Sequence, residues 1–242
     1  MALHFLTPDA ATAEVGGLVA LTGAEARHAA VVRRLRTGER ITLGDGRGIW
    51  LEGAAESVAP DLVEVRVDER REVSEPAPRI LLAQALAKGD RDELAVQAAC
   101  ELGVDAVVPW QAARSVVRWE GKKAAKGRER WASIVREAAK QAHRAWVPEV
   151  AEAETTGQLA RRAAEARMLI LDPTAETRLS AIDADERDIV LVVGPEGGIT
   201  PDELDRLSQA GAERVRLGDT VLRTSTAGPA AIAVLSAALR RW

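Results

Sequence analysis

The chain has 242 residues, 47% of them hydrophobic, and a formal net charge of -4 from 33 basic and 37 acidic side chains. That length holds one large domain or two ordinary ones around a full apolar core. No window approaches the roughly 20 uninterrupted apolar residues of a membrane span, and the start MALHFLTPDA lacks the basic head and apolar middle of a secretion signal. A cytoplasmic protein with no membrane partner is expected.

In chain order, the first 72 residues read as short strands with turn punctuation: LHFL, GLVAL, RITLGDG, GIWLEGAAES and DLVEVRVDE. One helix interrupts them. Thr22 followed by Glu25 has the spacing of a capping box and opens the periodic run AEARHAAVVRRL, which Gly38 closes. GDGRG, residues 44–48, is an Asp-Gly hairpin turn whose glycines need no ligand to explain them. This part is expected to be a small β-barrel carrying a basic helix.

REVSEPAPR, residues 71–79, has two prolines and no apolar periodicity, which is a linker composition. The expected domains are therefore 1–72 and 73–242. Beyond the linker, strands and helices alternate: RILLAQAL, then the helix DRDELAVQAACELG, DAVVPW, the helices GRERWASIVREAAKQAHRA and TTGQLARRAAEA, MLILD, DIVLVV, the helix TPDELDRLSQAG, ERVRL and a last helix from about Thr226 to Arg241. Such alternation predicts an α/β fold with a mostly parallel sheet covered on both faces.

Cys100, the only cysteine, cannot make an internal disulfide and falls at a small, buried position of its helical pattern. His4, His28 and His143 share no ligand spacing, so no metal site is expected. The negative net charge hides a local excess of basic residues. Arg27, Arg33, Arg34, Arg36 and Arg40 cluster in the first part, and residues 114–144 hold ten basic side chains against three acidic ones. Phosphate contacts need such segments, although solvated helix faces carry similar runs. Trp119, Trp131 and Trp146 interleave with the second segment, where core anchoring or base stacking would employ them.

The stretch LVVGPEGGITPDELDRL, residues 191–207, joins an apolar strand to a helix through a glycine turn. Thr200 as N-cap, Pro201 at N1 and Glu203 at N3 define the helix start. Glycines before a helix often cradle phosphate, but the cap already occupies N–H donors and Glu196 opposes an anion. A neutral or cationic ligand is expected instead. In an open α/β sheet, ligands sit at the carboxyl ends of strands; LILDPT, VGPEGGI and RLGDTVLRTSTAG all lie there. Gly218 lets the backbone approach a purine, Val221 and Leu222 supply apolar faces, and the Thr-Ser-Thr cluster is positioned to cap the final helix.

GPEGGIT followed by LGDTVLRTSTA, after a strand ending LILDP, resembles the RsmE family of 16S ribosomal RNA uridine-N3 methyltransferases, within the knotted SPOUT superfamily. The resemblance spans the chain, through HFL, EARHAAVVRRLRTGERITLGDGRG, ALAKGDRDELAVQAACELGVDAVVPWQAARSVV and EAAKQAHRAWVPEV. It implies an N-terminal PUA-like RNA-binding barrel and a C-terminal trefoil-knotted domain that forms a homodimer and binds S-adenosylmethionine (SAM), with 16S rRNA of the small subunit as partner. By motif match, the cofactor would be held by Leu171, Gly194, Pro195, Glu196, Gly197, Gly198, Leu217, Gly218, Leu222 and Thr224. Arg223 would stabilise charge developing on the uracil, unless it salt-bridges across the dimer.

The RNA contacts are expected at Arg27, His28, Arg33, Arg34 and Arg36, then at Lys88, Arg114, Arg118, Lys140 and Arg144. Two departures stand out: Ser225 replaces a common acidic residue, which removes a carboxylate base at that position, and Leu3 replaces a common arginine. Competing readings are a nucleotide-using α/β enzyme, a non-enzymatic RNA adaptor, and a SPOUT enzyme acting on another RNA such as tRNA. The first lacks a GxGxxG or Walker-type motif.

Overall fold

The computed structural model describes residues 3–183 and 185–242. The chain forms two compact units, one up to Glu75 together with Ala139–Val147, the other comprising Pro76–Ala138 and Pro148–Trp242.

In the first unit, Leu3–Leu6 (β1) leads through a 3-10 turn to Leu18–Thr22 (β2), the short helix Gly23–Arg27 (α1), Arg40–Gly44 (β3), Ile49–Val58 (β4) and Leu62–Glu72 (β5). The five strands form one sheet in the order β1-β3-β4-β5-β2, parallel between β1 and β3 and antiparallel elsewhere. Alternate residues of β5, Val63, Val65 and Val67, are buried with Phe5, Leu21, Ile41, Leu43 and Leu51 in one core, the period of two that a one-faced sheet imposes. Leu3 packs against this core, which accounts for an apolar residue there. The expected hairpin turn forms: Asp45 Oδ1 accepts from the N–H groups of Arg47 and Ile49 at 2.7 and 3.0 Å.

The helix of this unit corrects its sequence reading. Thr22 makes no side-chain cap; Glu25 instead receives a 3.0 Å hydrogen bond from Lys140 Nζ. A local box thus loses to an ion pair that sequence spacing could not disclose. After α1, His28–Val32 widens into a π-helical turn, with Arg33 N–H donating to the His28 carbonyl at 2.8 Å. The run stops at Val32 rather than Leu35, because Arg34 takes a left-handed φ of 54°.

The second unit contains Ile80–Ala85 (β6), Arg91–Glu101 (α2), Ala106–Gln111 (β7), most of Lys122–Gln141 (α3), the two-residue strands Glu149–Val150 (β8) and Glu154–Thr155 (β9), Thr156–Arg161 (α4), Arg167–Leu171 (β10), Ile189–Val193 (β11), Pro201–Gln209 (α5), Glu213–Val215 (β12) and Thr224–Ala238 (α6). Its sheet runs β12-β10-β11-β6-β7-β8, with β9 also beside β7, and every pair is parallel. All five residues of β11 are buried, as parallel strands covered on both faces require. Cys100 is fully buried in α2 and its thiol donates to the Val135 carbonyl.

Helix ends differ from the sequence pattern where tertiary bonds intervene. α3 begins at Lys122 and stops at Gln141, followed by His143 at a φ of 53°. α6 begins at Thr224, and its N-cap Arg223 gives no side-chain bond, so the Thr-Ser-Thr cluster does not cap it as expected. The Thr224 hydroxyl donates to the Gly194 carbonyl instead, at 2.8 Å. Trp131 is 1% exposed and meets Trp119 edge to face, whereas Trp146 donates to the Val73 carbonyl. Among the described residues no helix is long and apolar enough to cross a membrane.

Candidate active site

Three loops leave the carboxyl ends of the adjacent strands β10, β11 and β12 and line a cleft of about 630 Å³ in the second unit. Of the residues matched by motif, Leu171, Gly194, Pro195, Glu196, Gly198, Leu217, Gly218, Leu222 and Thr224 line it, together with Arg223. Gly197 does not. It faces Arg114, whose Nη1 donates to the Gly197 carbonyl at 2.9 Å, and a Cβ at Gly197 would come within 3.2 Å of Arg114 Cβ. The glycine there serves close approach to a neighbouring loop.

The turn after β11 is held from both sides. Glu196 Oε1 accepts from Arg91 Nη1 at 2.6 Å and from the Lys88 N–H at 3.1 Å. Partial burial pushes this carboxyl up, but its own backbone N–H, the Arg91 guanidinium and the Lys88 N–H outweigh burial and leave it below the ordinary glutamate range. Glu196 is thus an anion already paired with its own protein.

On the α5 side the expected capping box forms. Thr200 accepts from the Glu203 N–H, and Glu203 Oε2 accepts from the Thr200 N–H at 3.2 Å. The other oxygen of Glu203 accepts from the Ala113 N–H and the Thr156 hydroxyl, both at 2.8 Å. One buried carboxylate therefore joins the start of α5, the start of α4 and the loop bearing Arg114. The Thr200 hydroxyl donates to Oε2 as well, at 2.9 Å; burial raises the Glu203 pKa, and these four donors more than reverse that.

The wall after β10 is organised by Asp172, which accepts from the N–H and hydroxyl of Thr174 at 2.8 Å each and from Arg214 Nε at 2.7 Å. Burial raises Asp172, and the Thr174 and Arg214 donors bring it below the ordinary aspartate range. On the third loop, Val221 is 80% exposed, Leu222 37%, and Arg223 is exposed at the cleft with no described side chain hydrogen-bonding or ion-pairing to its guanidinium.

The basic residues divide by environment. In the first unit Arg27, Arg33, Arg34 and Arg36 are exposed, His28 is half-buried with its ring edge-on to Phe5, and Arg144 is half-buried. Lys140 is only 6% exposed and holds Glu25, so its burial contradicts an RNA-facing role. In the second unit Lys88, Arg114 and Arg118 are exposed, the latter two also bonded to the carbonyls of Gly197 and Ala113. Sequence reasoning gave no role to Arg91, although it lies within the matched segment ALAKGDRDELAV, and none to Gln84 or Asp172; Glu203 it placed only as a helix cap.

Residues 74–236 match the family described as RNA methyltransferase domain, and residues 21–68 match an RNA methyltransferase PUA domain. The ribosomal RNA small subunit methyltransferase E of Mycobacterium bovis is 43% identical over 95% of this chain and 90% of its own length. The chain belongs to the ribosomal RNA small subunit methyltransferase E family. A solved member of that family from Neisseria gonorrhoeae, bound to SAM, shares 32% identity at a TM-score of 0.88 over 98% of each chain. A methyltransferase from Legionella pneumophila in complex with SAM shares 33% identity at the same TM-score and coverage. The family's fold is a SPOUT methyltransferase domain with a mostly parallel sheet, joined to a PUA-like domain at the N-terminus.

Proposed function

We propose that this family member transfers the methyl group of SAM to N3 of a uridine in the 16S rRNA of the small ribosomal subunit. The observation that carries the reading is the three-loop cleft with Arg223, an arginine that no described side chain pairs, on its lining. Its walls suit the cofactor. Leu171, Leu217 and Leu222 offer apolar surface to a purine, Gly194 and Gly218 leave backbone accessible, and Glu196 and Asp172 carry their own cationic partners. When bound, the cofactor supplies an electrophilic methyl group on a cationic sulfur.

The protein's task is then alignment and charge. Arg223 offsets negative charge gathering on the uracil oxygens as N3 loses its proton. Neither carboxylate of the cleft is free to take that proton, since Glu196 is held by Arg91 and Asp172 by Arg214; in this reading it passes to solvent. Arg27, Arg33, Arg34 and Arg36 on the first unit, with Lys88, Arg114 and Arg118 on the second, bind RNA phosphates. Residues 1–72 accordingly serve mainly RNA binding and 73–242 methyl transfer, with the knotted chain course and homodimer that the resemblance implies.

Calorimetric titration with SAM, ATP and NAD in parallel tests the cofactor. A Cβ at Gly218 meets nothing within 4 Å, so Gly218→Trp starts without a backbone clash and places an indole at the cleft lining; a thermal melt checks that the variant is folded. SAM alone binding, and binding lost in that variant, is the expected result; binding of ATP or NAD in place of SAM contradicts it.

A further inference from the structure

Gln84 is a polar residue in the apolar run ILLAQA of β6, fully buried and opposite Val193 of β11. Its amide orientation is dictated by its neighbours. The Ala85 carbonyl only accepts, so the amide nitrogen faces it at 3.1 Å, and the same nitrogen donates to Thr224 Oγ1 at 2.9 Å. Thr224 in turn sends its only hydroxyl proton to the Gly194 carbonyl at 2.8 Å. The chain of donors therefore runs one way, from Gln84 through Thr224 to Gly194.

Two consequences follow from that direction. The Thr224 hydroxyl has no proton left for a ligand, so its side chain acts as a strut between β6, the start of α6 and the glycine turn. Among the described residues the buried Gln84 carbonyl oxygen has no partner, a cost in stability that an apolar residue would not incur. Residues that lower stability at the floor of a site are commonly retained for what they position. Next to Thr224 is Arg223, whose guanidinium no described side chain holds; its place depends on its backbone, where its carbonyl accepts from the Thr226 and Ala227 N–H groups at 2.9 Å each.

We propose that Gln84 is a positioning residue for methyl transfer, acting through Thr224 to hold Arg223 and the Gly194 wall in fixed relation across the cleft. This inference rests on the reading of the cleft as a methyltransferase site. It is tested with Gln84→Met and Thr224→Val, their double variant, and Thr224→Ser, each measured for melting temperature, SAM affinity, kcat on small subunits lacking the modification, and amide hydrogen exchange.

The expected result is a kcat at least tenfold lower in Gln84→Met and Thr224→Val, with the double variant no worse than either single one. In Gln84→Met, SAM affinity changes less than threefold and melting temperature is unchanged or raised, and Thr224→Ser keeps most of the kcat that Thr224→Val loses. Exchange quickens at residues 194–198 and 219–228 and nowhere else. A kcat within twofold of wild type, unaltered exchange in those segments, or a collapse of melting temperature together with SAM binding would overturn the proposal. If the wild-type protein transfers no methyl group, the functional reading fails, while the exchange comparison still decides whether the strut exists.

Discussion

Arg91 and the Lys88 N–H donate to the same oxygen of Glu196, at 2.6 and 3.1 Å, so one carboxylate oxygen ties the glycine turn to the loop before α2. Exposed pairs of this kind contribute about 0–1 kcal/mol to stability. Glu196→Ala is therefore expected to leave the melting temperature nearly unchanged while SAM affinity falls about three- to tenfold, or up to about 1.4 kcal/mol, as the cleft wall loses its tether. Calorimetry and a thermal melt on the same preparation check both halves.

Glu203 presents the opposite balance, because it is buried and accepts four hydrogen bonds from three elements of the second unit. Glu203→Ala strands those donors and should cost about 3 kcal/mol. Its folded pKa lies below that of the unfolded chain, so its contribution is complete above the ordinary glutamate range and is lost as pH falls through the lower folded value. Denaturant midpoints of wild type and variant should differ near neutral pH and converge in strong acid.

His4 gives the first unit its own acid sensitivity. It stacks on Trp50 at 4.4 Å, shares a 2.9 Å hydrogen bond with Thr42 Oγ1, and is lowered to about 4 by burial first and by His143 and Lys140 after it. Between pH 6.5 and about 4 the unfolded chain binds a proton there that the folded one refuses, so stability drops as pH falls across that window. The loss amounts to about 2–4 kcal/mol, at roughly 1.4 kcal/mol per pKa unit. His4→Leu should flatten this slope in a pH series of unfolding curves.

Much of the second unit is legible in its residues because period and punctuation agree there. Continuous apolar runs such as IVLVV, each followed by a glycine or proline turn, mark buried parallel strands, and Thr200 with Glu203 marks a helix start that the structure repeats bond for bond. What is not legible depends on partners distant in sequence. Glu25 has the spacing of a cap yet answers to Lys140, 115 residues on. Lys140 itself sits in a basic helix whose charges all look alike in sequence, and Gln84 is one polar letter in an apolar run until Thr224 is brought to it from 140 residues away. Gly197 matches the motif but spends its missing side chain on Arg114 rather than on the cleft.

That distinction among lysines and arginines is measurable. Arg33→Ala combined with Arg36→Ala removes two exposed charges and should weaken binding to small subunits while lowering the slope of log K against log salt by about 1–2. Lys140→Met removes a buried ammonium held by Glu25 and should destabilise the protein by about 1–3 kcal/mol with the salt slope unchanged. Filter binding at several salt concentrations, alongside thermal melts, separates the two outcomes.

The proposed reaction is methyl transfer to one uridine of small-subunit rRNA, with Arg223 as its electrostatic aid. It is tested most directly by incubating the protein and SAM with small subunits lacking the modification, and with tRNA as control, then mapping methyl groups on the RNA by mass spectrometry. The expected result is a single N3-methyluridine in 16S rRNA, none in tRNA, and a rate about 10²–10³-fold lower for Arg223→Ala. Methylation of tRNA instead, or an Arg223→Ala protein that works at the wild-type rate, would contradict it.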